Sequence, residues 1–502
     1  MTRSRLNTLK ARRLGIAGSH EAVAYIRKDC DVCLSEGFGP HTRVQLSHGA
    51  NNATATLRHV SEDWLGLGEI GLNEVAWERL SLVNSEPIEI RHMPVLTSFR
   101  GVRRRMFGGE YSKQDVRDIV ADIAANRYSD LQLTAFVATG AARPLSIDET
   151  IALTQAMIET GTRMRWDDDE VYDKHCVGGL PGNRTTPIIV SIIAAHGMKI
   201  PKTSSRAITS PAGTADTMET ITRVNLSPSE MREVVETCNG CMVWGSALDF
   251  SPVDEAVIRV EKALDFDSPA SMVASVLSKK VGAGATKVLI DIPVGPTAKV
   301  RNQAEARAIS DVFTAVAEAV GLTLRIEITD GSQPIGYGIG PALEARDVLA
   351  VLGNEEAAPP ALTDKACLLA GALLEMGGRA KAGAGAKLAR ETIESGAARQ
   401  RFEMICRAQG AFRTPPLATH LRSVEASQTG RVQAVDNRRL SRAAKLTGAP
   451  EDAAAGLDLH VRVGDRVERG TKLFTLHTTS LGELAYALDY VHANPDIVQV
   501  AQ

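Results

Sequence analysis

The spacing of hydrophobic and polar residues changes several times along the chain, and each change predicts a different kind of structure. Up to about residue 85, apolar and polar residues alternate in short runs, such as Thr42–Leu46 and Ala53–Leu57, with turn-forming residues between them. This alternation puts successive side chains on opposite faces of an extended strand. The pattern therefore predicts a β-rich N-terminal module over residues 1–85.

Helical periodicity follows over residues 86–165. Within it, Ser112 stands three residues before Asp115, and Ser146 stands three residues before Glu149. At this spacing a serine and a carboxylate cap a helix start reciprocally, because each accepts a hydrogen bond from a backbone N–H group. We therefore predict that helices begin directly after Ser112 and after Ser146.

The later part of the chain mixes the two periods. Strand-like and helical segments alternate over residues 170–248 and 285–415, which is typical of an α/β domain, and a helical stretch at 250–283 separates the two parts. Residues 420–502 are again rich in strands. We predict an α/β fold in which residues 86–165 and 250–283 form a discontinuous helical domain. A central mixed sheet flanked by helices completes the core, with a small β-rich N-terminal module and an α+β C-terminal module.

The segment Asp173–Pro187 is the first candidate binding site. Its glycines allow a backbone to approach a ligand closely, and Lys174 supplies a cation. Thr186 is the predicted N-cap of the next helix, with Pro187 in the first turn. Because the free N–H groups at a helix start attract anions, the segment predicts a site for an oxyanion. It lacks the spacing of a nucleotide-binding P-loop.

A second candidate site, Thr203–Glu219, follows one strand and helix later. It contains several hydroxyl side chains, Arg206, and Gly213 before a predicted helix start. Loops that follow successive parallel strands meet at the carboxyl edge of the sheet, where open α/β folds bind their ligands. The two segments together therefore predict one anion-binding cleft.

Composition narrows the possible functions. The chain of 502 residues has 57 Lys and Arg against 60 Asp and Glu, which is too balanced for a general nucleic-acid or anionic-membrane binder. The pairs Cys30/Cys33 and Cys238/Cys241 lie too far apart for a zinc ribbon, so we expect no metal site. An odd number of cysteines, seven, favours a reducing compartment. We expect a cytoplasmic enzyme that acts on small molecules.

Several motifs in the two candidate segments carry a family resemblance: Lys174-His175, Gly178-Gly179, Ser204-x-Arg206, Ala212-Gly213-Thr214, Asp216 and Glu219. Together they resemble the thymidine phosphorylase family of pentosyltransferases, and most of all its long branch, which includes AMP phosphorylases. The resemblance implies phosphorolysis. Inorganic phosphate attacks C1′ of a pentose and displaces the base, which leaves a pentose 1-phosphate.

The resemblance also implies which residues bind the substrates. The positions that match the family's phosphate ligands are Lys174, Cys176, Thr186, Ser204 and Thr214. The positions that match nucleoside or nucleotide contacts are Gly179, Ser205, Arg206, Ala207, Ile208, Thr209, Ser210, Thr214, Ser275, Lys279 and Lys299. Cys176 stands where the family usually has serine. A thiol is a weaker hydrogen-bond donor than a hydroxyl, so this exchange weakens the case for Cys176 as a phosphate ligand.

Asp267 and His175 are the candidate catalytic residues. Asp267 falls at the family's proton-donor position, and an acid near the leaving base would protonate it as the glycosidic bond breaks. The sequence Asp267-Ser268-Pro269 is also an ordinary helix start, in which the aspartate would be a cap. His175 could serve as the acid, as a ligand of the sugar, or as a structural residue.

The sequence does not decide which nucleobase is released. Short pyrimidine phosphorylases have an arginine seven residues before the aspartate, where this chain has Val260, with Arg259 beside it. Lys279 matches their base-contacting lysine, although a solvated lysine is the alternative. Thymidine-type and AMP-type phosphorolysis both stay open, as do an anthranilate-type phosphoribosyltransferase and a non-catalytic binding protein. We expect no cofactor besides phosphate as co-substrate, no nucleic-acid or membrane partner, and a homodimer or larger homo-oligomer.

Overall fold

The computed structural model describes residues 7–18, 20–207, 210–248, 250–264 and 268–501, apart from the side chains of residues 246 and 247. Two compact units can be distinguished, residues 1–139 and 140–502. Across the described ranges, no helix combines the length and the apolar character that a membrane span requires.

A closed six-stranded barrel forms most of the first unit. Its strands are β1 (Thr8–Arg13), β2 (Val23–Arg27), β3 (Arg43–His48), β4 (Asn51–Val60), β5 (Glu69–Leu72) and β6 (Pro87–His92). They follow the order β1-β5-β2-β4-β3-β6 around the barrel. Alternate side chains such as Val44 and Leu46 fill its core. The last strand lies beyond residue 85, so the β-rich module extends further than its predicted end.

Five short or medium helices accompany the barrel in this unit: α1 (Asp31–Glu36), α2 (Glu74–Arg79), α3 (Phe99–Met106), α4 (Lys113–Ala124) and α5 (Asp130–Ala142). The start of α4 carries the predicted capping box. The side chains of Ser112 and Asp115 each accept a hydrogen bond from the backbone N–H group of the other residue. Helix α1 places Cys33 in the barrel core, and burial raises the pKa of its thiol.

A parallel sheet is the centre of the second unit. It comprises β7 (Tyr172–Cys176), β8 (Ile200–Ser204), β9 (Gly240–Trp244), β10 (Lys287–Val294) and β11 (Thr323–Asp330). Strands β7, β10 and β11 pair side by side, β8 pairs with β9, and a parallel bridge between Val171 and Lys199 joins the two groups. The α/β class is confirmed. Every pairing described in this sheet is parallel, where a mixed sheet was expected.

Helices cover this sheet and connect its strands. They are α7 (Thr185–Ala195), α8 (Thr214–Glu219), α9 (Pro228–Cys238), α12 (Gln303–Ala319), α13 (Pro341–Leu352), α14 (Pro360–Met376), α15 (Gly385–Glu394) and α16 (Ala397–Ala408). Helix α7 is buried along its whole length, since apolar residues occupy nearly all of its faces. Asn239 ends α9 in the left-handed conformation, directly before Gly240.

Three further helices pack together beside the sheet: α6 (Ile147–Thr160), α10 (Pro252–Leu264) and α11 (Pro269–Gly282). The predicted capping box of Ser146 and Glu149 begins α6. Because α6 precedes strands β7 to β9 and the other two follow them, the helical layer is discontinuous in sequence. Residues 283–286 connect α11 to β10, and apolar residues of the two elements pack together.

The C-terminal part builds two small sheets. The first contains β12 (Gly338–Ile339), β15 (Gly456–Leu459), β17 (Lys472–Thr478) and β13 (His420–Glu425); the second contains β16 (Arg466–Val467), β14 (Gly430–Val435) and β18 (Val498–Ala501). Helices α17 (Asn437–Leu446) and α18 (Leu481–Ala493) complete this part. Strand β12 belongs to the Gly-rich segment, residues 331–340, which follows β11. Because β12 pairs with β15, this segment is part of the first C-terminal sheet.

Candidate active site

Two loops lie at the carboxyl edge of the parallel sheet. Residues 177–184 connect β7 to α7, and residues 205–213 connect β8 to α8. The loop after β10, residues 295–302, opens at the same edge because β10 runs parallel to β7. This is the edge at which open α/β sheets bind ligands. The two segments that the sequence predicts as anion sites are therefore brought together.

Two glycines of the first loop occupy positions that a residue with a side chain would not fit. Gly178 and Gly179 have φ of 99° and 79°, which a residue with a side chain rarely adopts. A Cβ on Gly179 would lie 2.5 Å from the backbone nitrogen of Lys299. The loop after β10 thus packs directly on the first loop, with the backbone of Lys299 against Gly179.

Lys174 is fixed beneath the first loop. Its side chain is 1% exposed, and its Nζ donates to Thr185 Oγ1 at 3.0 Å. Burial lowers its pKa, while Asp291 opposes that change. Because the Thr185 oxygen accepts from the ammonium group, the hydroxyl hydrogen is left to donate to another acceptor. The arrangement presents a cation and an oriented hydroxyl at the loop.

The predicted helix start at Thr186 is wrong by two residues. Arg184 is the N-cap residue, and α7 begins at Thr185. Pro187 is then the third helical residue, where its missing N–H group still falls in the first turn, whose N–H groups have no partner within the helix. The proline therefore did not fix the cap position. Thr186 lies inside the first turn of α7 and is 8% exposed.

Cys176 ends β7 at the loop. Its sulfur accepts a hydrogen bond from Asn183 Nδ2 at 3.2 Å, so the thiol hydrogen is free to point towards a ligand. Burial raises the pKa of Cys176 to about 11. The side chain therefore stays a neutral thiol near pH 7 and offers one weak donor.

Buried charges underlie both loops. Six side chains with no more than 7% exposure form the network: Lys174, Lys202, Lys280, Lys365, Asp173 and Asp291. Asp173 lies 2.7 Å from Lys280 Nζ, and Asp291 lies 3.1 Å from Lys365 Nζ. The network has four basic groups against two acidic ones. Burial lowers the pKa of Lys174 and of Lys202, and an anion bound at this edge of the sheet would favour the charged form of both.

Sequence reasoning missed this network apart from Lys174. Lys202 occupies the central position of β8, between Pro201 and Thr203, in a strand whose first four residues are buried. Burial lowers its pKa, and Asp173 opposes the change. Lys280 and Lys365 come from α11 and α14, and nothing local in the sequence connects them with β7.

The second loop is held by Asp216. Its Oδ2 accepts from the backbone N–H groups of Ala207 and Gly213 at 2.7 and 2.8 Å. Arg206 pairs with Glu219 at 2.5 and 2.9 Å and with Asp216 at 3.2 Å, and its guanidinium lies over the Trp244 ring at 4.9 Å. The hydrogen bonds to Glu219 raise the pKa of Arg206. Arg206 therefore braces the loop with contacts inside the protein.

Other predicted residues of this loop face the cleft in different degrees. Ser204 has a buried hydroxyl oxygen that finds no hydrogen-bond partner among the described residues. Ser205 is exposed, Ser210 donates to Ala212, and Thr214 begins α8. An unsatisfied buried hydroxyl costs free energy unless a ligand or water completes it, so Ser204 is suited to bind an anion. Ile208, Thr209 and Asp267 lie outside the described residues.

His175 follows Lys174 on β7 and is partly exposed. Burial of the ring lowers its pKa well below the ordinary value, and the ammonium groups of Lys280, Lys202, Lys174 and Lys279 lower it further. The imidazole is therefore neutral near pH 7. A neutral imidazole can form a hydrogen bond to the sugar of a substrate, but it cannot act as a cationic general acid.

Helix α11 contributes Ser275 and Lys279. The two residues lie four positions apart and therefore on one face of the helix. Lys279 Nζ pairs with Asp254 Oδ2 of α10 at 2.5 Å, so it is bound and not freely solvated. Val260 is buried in α10 at 6% exposure. The carbonyl-binding arginine of the short enzymes has no counterpart at this position.

Comparison with known proteins assigns the whole chain. Residues 168–399 match the glycosyl transferase family, a/b domain, and residues 102–161 match the helical bundle domain of that family. Residues 431–498 match the pyrimidine nucleoside phosphorylase C-terminal domain. A "putative thymidine phosphorylase" of Maricaulis maris (strain MCS10) is 52% identical over 99% of this chain and 96% of its own length. This chain belongs to the thymidine phosphorylase family. It is a pentosyltransferase.

A second member of the thymidine phosphorylase family is similar to the same extent. The "putative thymidine phosphorylase 2" of Acidovorax sp. (strain JS42) is 52% identical over 99% of this chain and 97% of its own length. Among solved structures, anthranilate phosphoribosyltransferase from Thermus thermophilus aligns with a TM-score of 0.52 at 18% identity. The alignment covers 62% of this chain and 99% of the other. That likeness concerns the fold.

Proposed function

We propose that the protein cleaves the N-glycosidic bond of a pyrimidine nucleoside by phosphorolysis, as a thymidine phosphorylase. The base is released and the sugar is transferred to inorganic phosphate. The observation that carries this proposal is the pair of loops over the buried lysine network, because buried lysines become fully charged when a multiply charged anion such as phosphate binds beside them. The names of the relatives support the choice of substrate.

Phosphate would bind between the two loops. Lys174 supplies charge, and the hydroxyl groups of Thr186, Ser204 and Thr214 and the thiol of Cys176 supply donors. As the glycosidic bond breaks, positive charge develops on the sugar, and a phosphate anion beneath it stabilises that charge. The same phosphate then forms the new bond to C1′. No cofactor is needed for this exchange, since phosphate is itself the second substrate.

The leaving base needs a proton. We assign this role to Asp267, at the position that matches the family's proton donor. His175 is the poorer candidate because burial and the neighbouring ammonium groups keep its ring neutral. We assign it to hydrogen bonding with the substrate. Ser275 and Lys279 of α11 would bind the base, and the pairing of Lys279 with Asp254 would orient its ammonium group.

A second candidate is AMP phosphorolysis, which would give ribose 1,5-bisphosphate. The contact of Gly179 with the backbone of Lys299 favours it, since a cation on the adjoining loop could bind a 5′-phosphate. An anthranilate-type phosphoribosyl transfer is the third candidate. The likeness to those enzymes supports a common fold, and the diphosphate-binding Gly-Thr-Gly-Gly-Asp motif is absent from the sequence. For either phosphorylase we expect a cytoplasmic homodimer or larger homo-oligomer.

A panel of substrates tests the proposal. Thymidine, uridine, AMP and CMP are incubated with the full-length protein and phosphate, and base release is followed by chromatography. Thymidine phosphorolysis with little activity on either nucleotide supports the proposal. Activity confined to the 5′-phosphorylated substrates would replace it with the AMP-type reaction. Transfer of the ribosyl group from phosphoribosyl diphosphate to an aromatic amine, with release of diphosphate, would favour the third candidate.

A further inference from the structure

Arg184 belongs to the first loop of the candidate site, and its side chain forms hydrogen bonds to the second loop and to the start of α8. It is the residue directly before α7, at the end of the first loop. Its Nη1 donates to Thr214 Oγ1 at 2.7 Å, and its Nη2 donates to the carbonyl oxygen of Ala212 at 2.9 Å. Both acceptors belong to the second loop and the start of α8. A single side chain therefore sets the separation of the two loops.

Glu344 of α13 holds the guanidinium group in place. Arg184 Nε donates to Glu344 Oε2 at 2.6 Å, and Arg184 Nη2 lies 2.5 Å from the same oxygen. Both side chains are shielded from solvent, with exposures of 12% and 2%. The planar guanidinium offers donors in a fixed fork, so three acceptors at these positions define its orientation.

The contact with Thr214 has a chemical consequence. Because the Thr214 oxygen accepts from a cation, its hydroxyl hydrogen has to be donated elsewhere. Lys174 acts on Thr185, and Asn183 on Cys176, in the same way. Each of these three donors turns a hydroxyl or thiol into an oriented donor at the cleft.

We propose that Arg184 is a positioning residue for phosphate: it orients the Thr214 hydroxyl and keeps the two loops at the spacing that one phosphate bridges. This inference rests on the proposed function, in which phosphate binds between the loops. A direct ligand role fits the geometry less well, because Nε, Nη1 and Nη2 are already engaged by protein acceptors. A purely structural ion pair is the competing explanation.

Three variants of the full-length protein separate positioning from structure. Arg184→Met removes the fork and leaves Glu344 as a buried carboxylate without its partner, so stability falls as well. Arg184→Met/Glu344→Gln removes both charges and relieves that penalty. Arg184→Lys keeps a cation for Glu344 but cannot donate to three acceptors at once. Arg399→Met is the matched control, since Arg399 also pairs with a carboxylate, Glu403 at 2.7 Å, and donates to the carbonyl oxygen of Leu349 within the same unit. Neither of these partners belongs to the two loops.

The dissociation constant of inorganic phosphate is measured by calorimetry without nucleoside, and KM for phosphate and kcat are measured with thymidine. The loss of one oriented donor predicts that all three Arg184 variants bind phosphate about tenfold more weakly, with kcat less affected. The double variant is expected to regain the melting temperature of the wild type without regaining its phosphate affinity. The control is expected to bind phosphate as the wild type does.

The positioning role is overturned if the double variant or Arg184→Lys binds phosphate as tightly as the wild type, because the ion pair is then only structural. Should Arg184→Met fail to fold, these two variants still decide. A wild-type protein that binds phosphate but releases no base refutes the proposed function and leaves the positioning test intact. A wild-type protein that does not bind phosphate refutes both.

Discussion

Asp347 is expected to make the stability of the protein depend on pH, and the structure gives the size of the effect. Its Oδ2 accepts the backbone N–H groups of Tyr337 and Gly338, each at 2.8 Å, and so holds the Gly-rich segment before α13. Burial raises the pKa of Asp347 to about 7, against its ordinary value of 3.8. The two N–H groups lower the pKa, and the nearby carboxylates of Asp458 and Glu344 raise it.

The sign follows from proton binding. Between the two pKa values the folded protein binds a proton at Asp347 that the unfolded chain has already lost, so this group makes stability fall as pH rises through that window. Each unit is worth about 1.4 kcal/mol, and two units separate pH 5 from pH 7. Ionisation of Asp347 should therefore remove about 3 kcal/mol of unfolding free energy between pH 5 and pH 8.

Asp347→Asn isolates this contribution. The amide oxygen can accept the same two N–H groups but does not ionise, so the unfolding free energy of the variant relative to the wild type should rise by about 3 kcal/mol from pH 5 to pH 8. Urea unfolding at several pH values measures this difference. Asp436→Asn is the control, because Asp436 also accepts two backbone N–H groups, those of Arg438 and Arg439, at the more exposed start of α17. If the difference in unfolding free energy between Asp347→Asn and wild type changes by less than about 0.5 kcal/mol from pH 5 to pH 8, the reasoning is refuted.

Three further predictions concern the candidate site. Lys174→Met should raise KM for phosphate by at least about tenfold, because it removes a buried ammonium group at the first loop; an unchanged KM and kcat in steady-state kinetics would contradict this. Cys176→Ser should preserve or raise kcat/KM for phosphate, since a hydroxyl is the stronger donor, and a loss above about tenfold would show that the thiol has its own role. Asp267→Asn should lower kcat by about 10²–10⁴-fold with an unchanged melting temperature, because it removes the general acid; near-normal turnover would contradict this role.

Features that depend on neighbouring residues could be predicted from the sequence. The capping boxes at Ser112 and Ser146 depend on residues three positions apart, and both form as expected. The positions of the two loops between strands and helices could also be predicted, because glycine-rich turns are local patterns. The cap at Thr186 was wrong because a proline fits any position of the first helical turn, so it does not mark the first residue.

Features that depend on residues far apart in the sequence could not be predicted. Arg184 and Glu344 stand 160 positions apart, and their pairing exists only after α13 folds against α7. The lysine network draws on three strands and two helices, and Lys174 alone among its members was predicted as a site residue. The Gly-rich segment was another such case: Arg462 of the C-terminal part donates to the carbonyl oxygens of Pro334, Ile335 and Gly336, and Gly336 in turn donates to Gly182 of the first loop.

The stoichiometry of phosphate consumption tests the central claim most directly. The full-length protein is incubated with thymidine and a limiting amount of inorganic phosphate, and phosphorus NMR follows the phosphate while chromatography follows the base. One thymine and one pentose 1-phosphate are expected for each phosphate consumed, with no base release without phosphate. Base release that does not require phosphate, or phosphate that stays unconsumed while base appears, would contradict phosphorolysis.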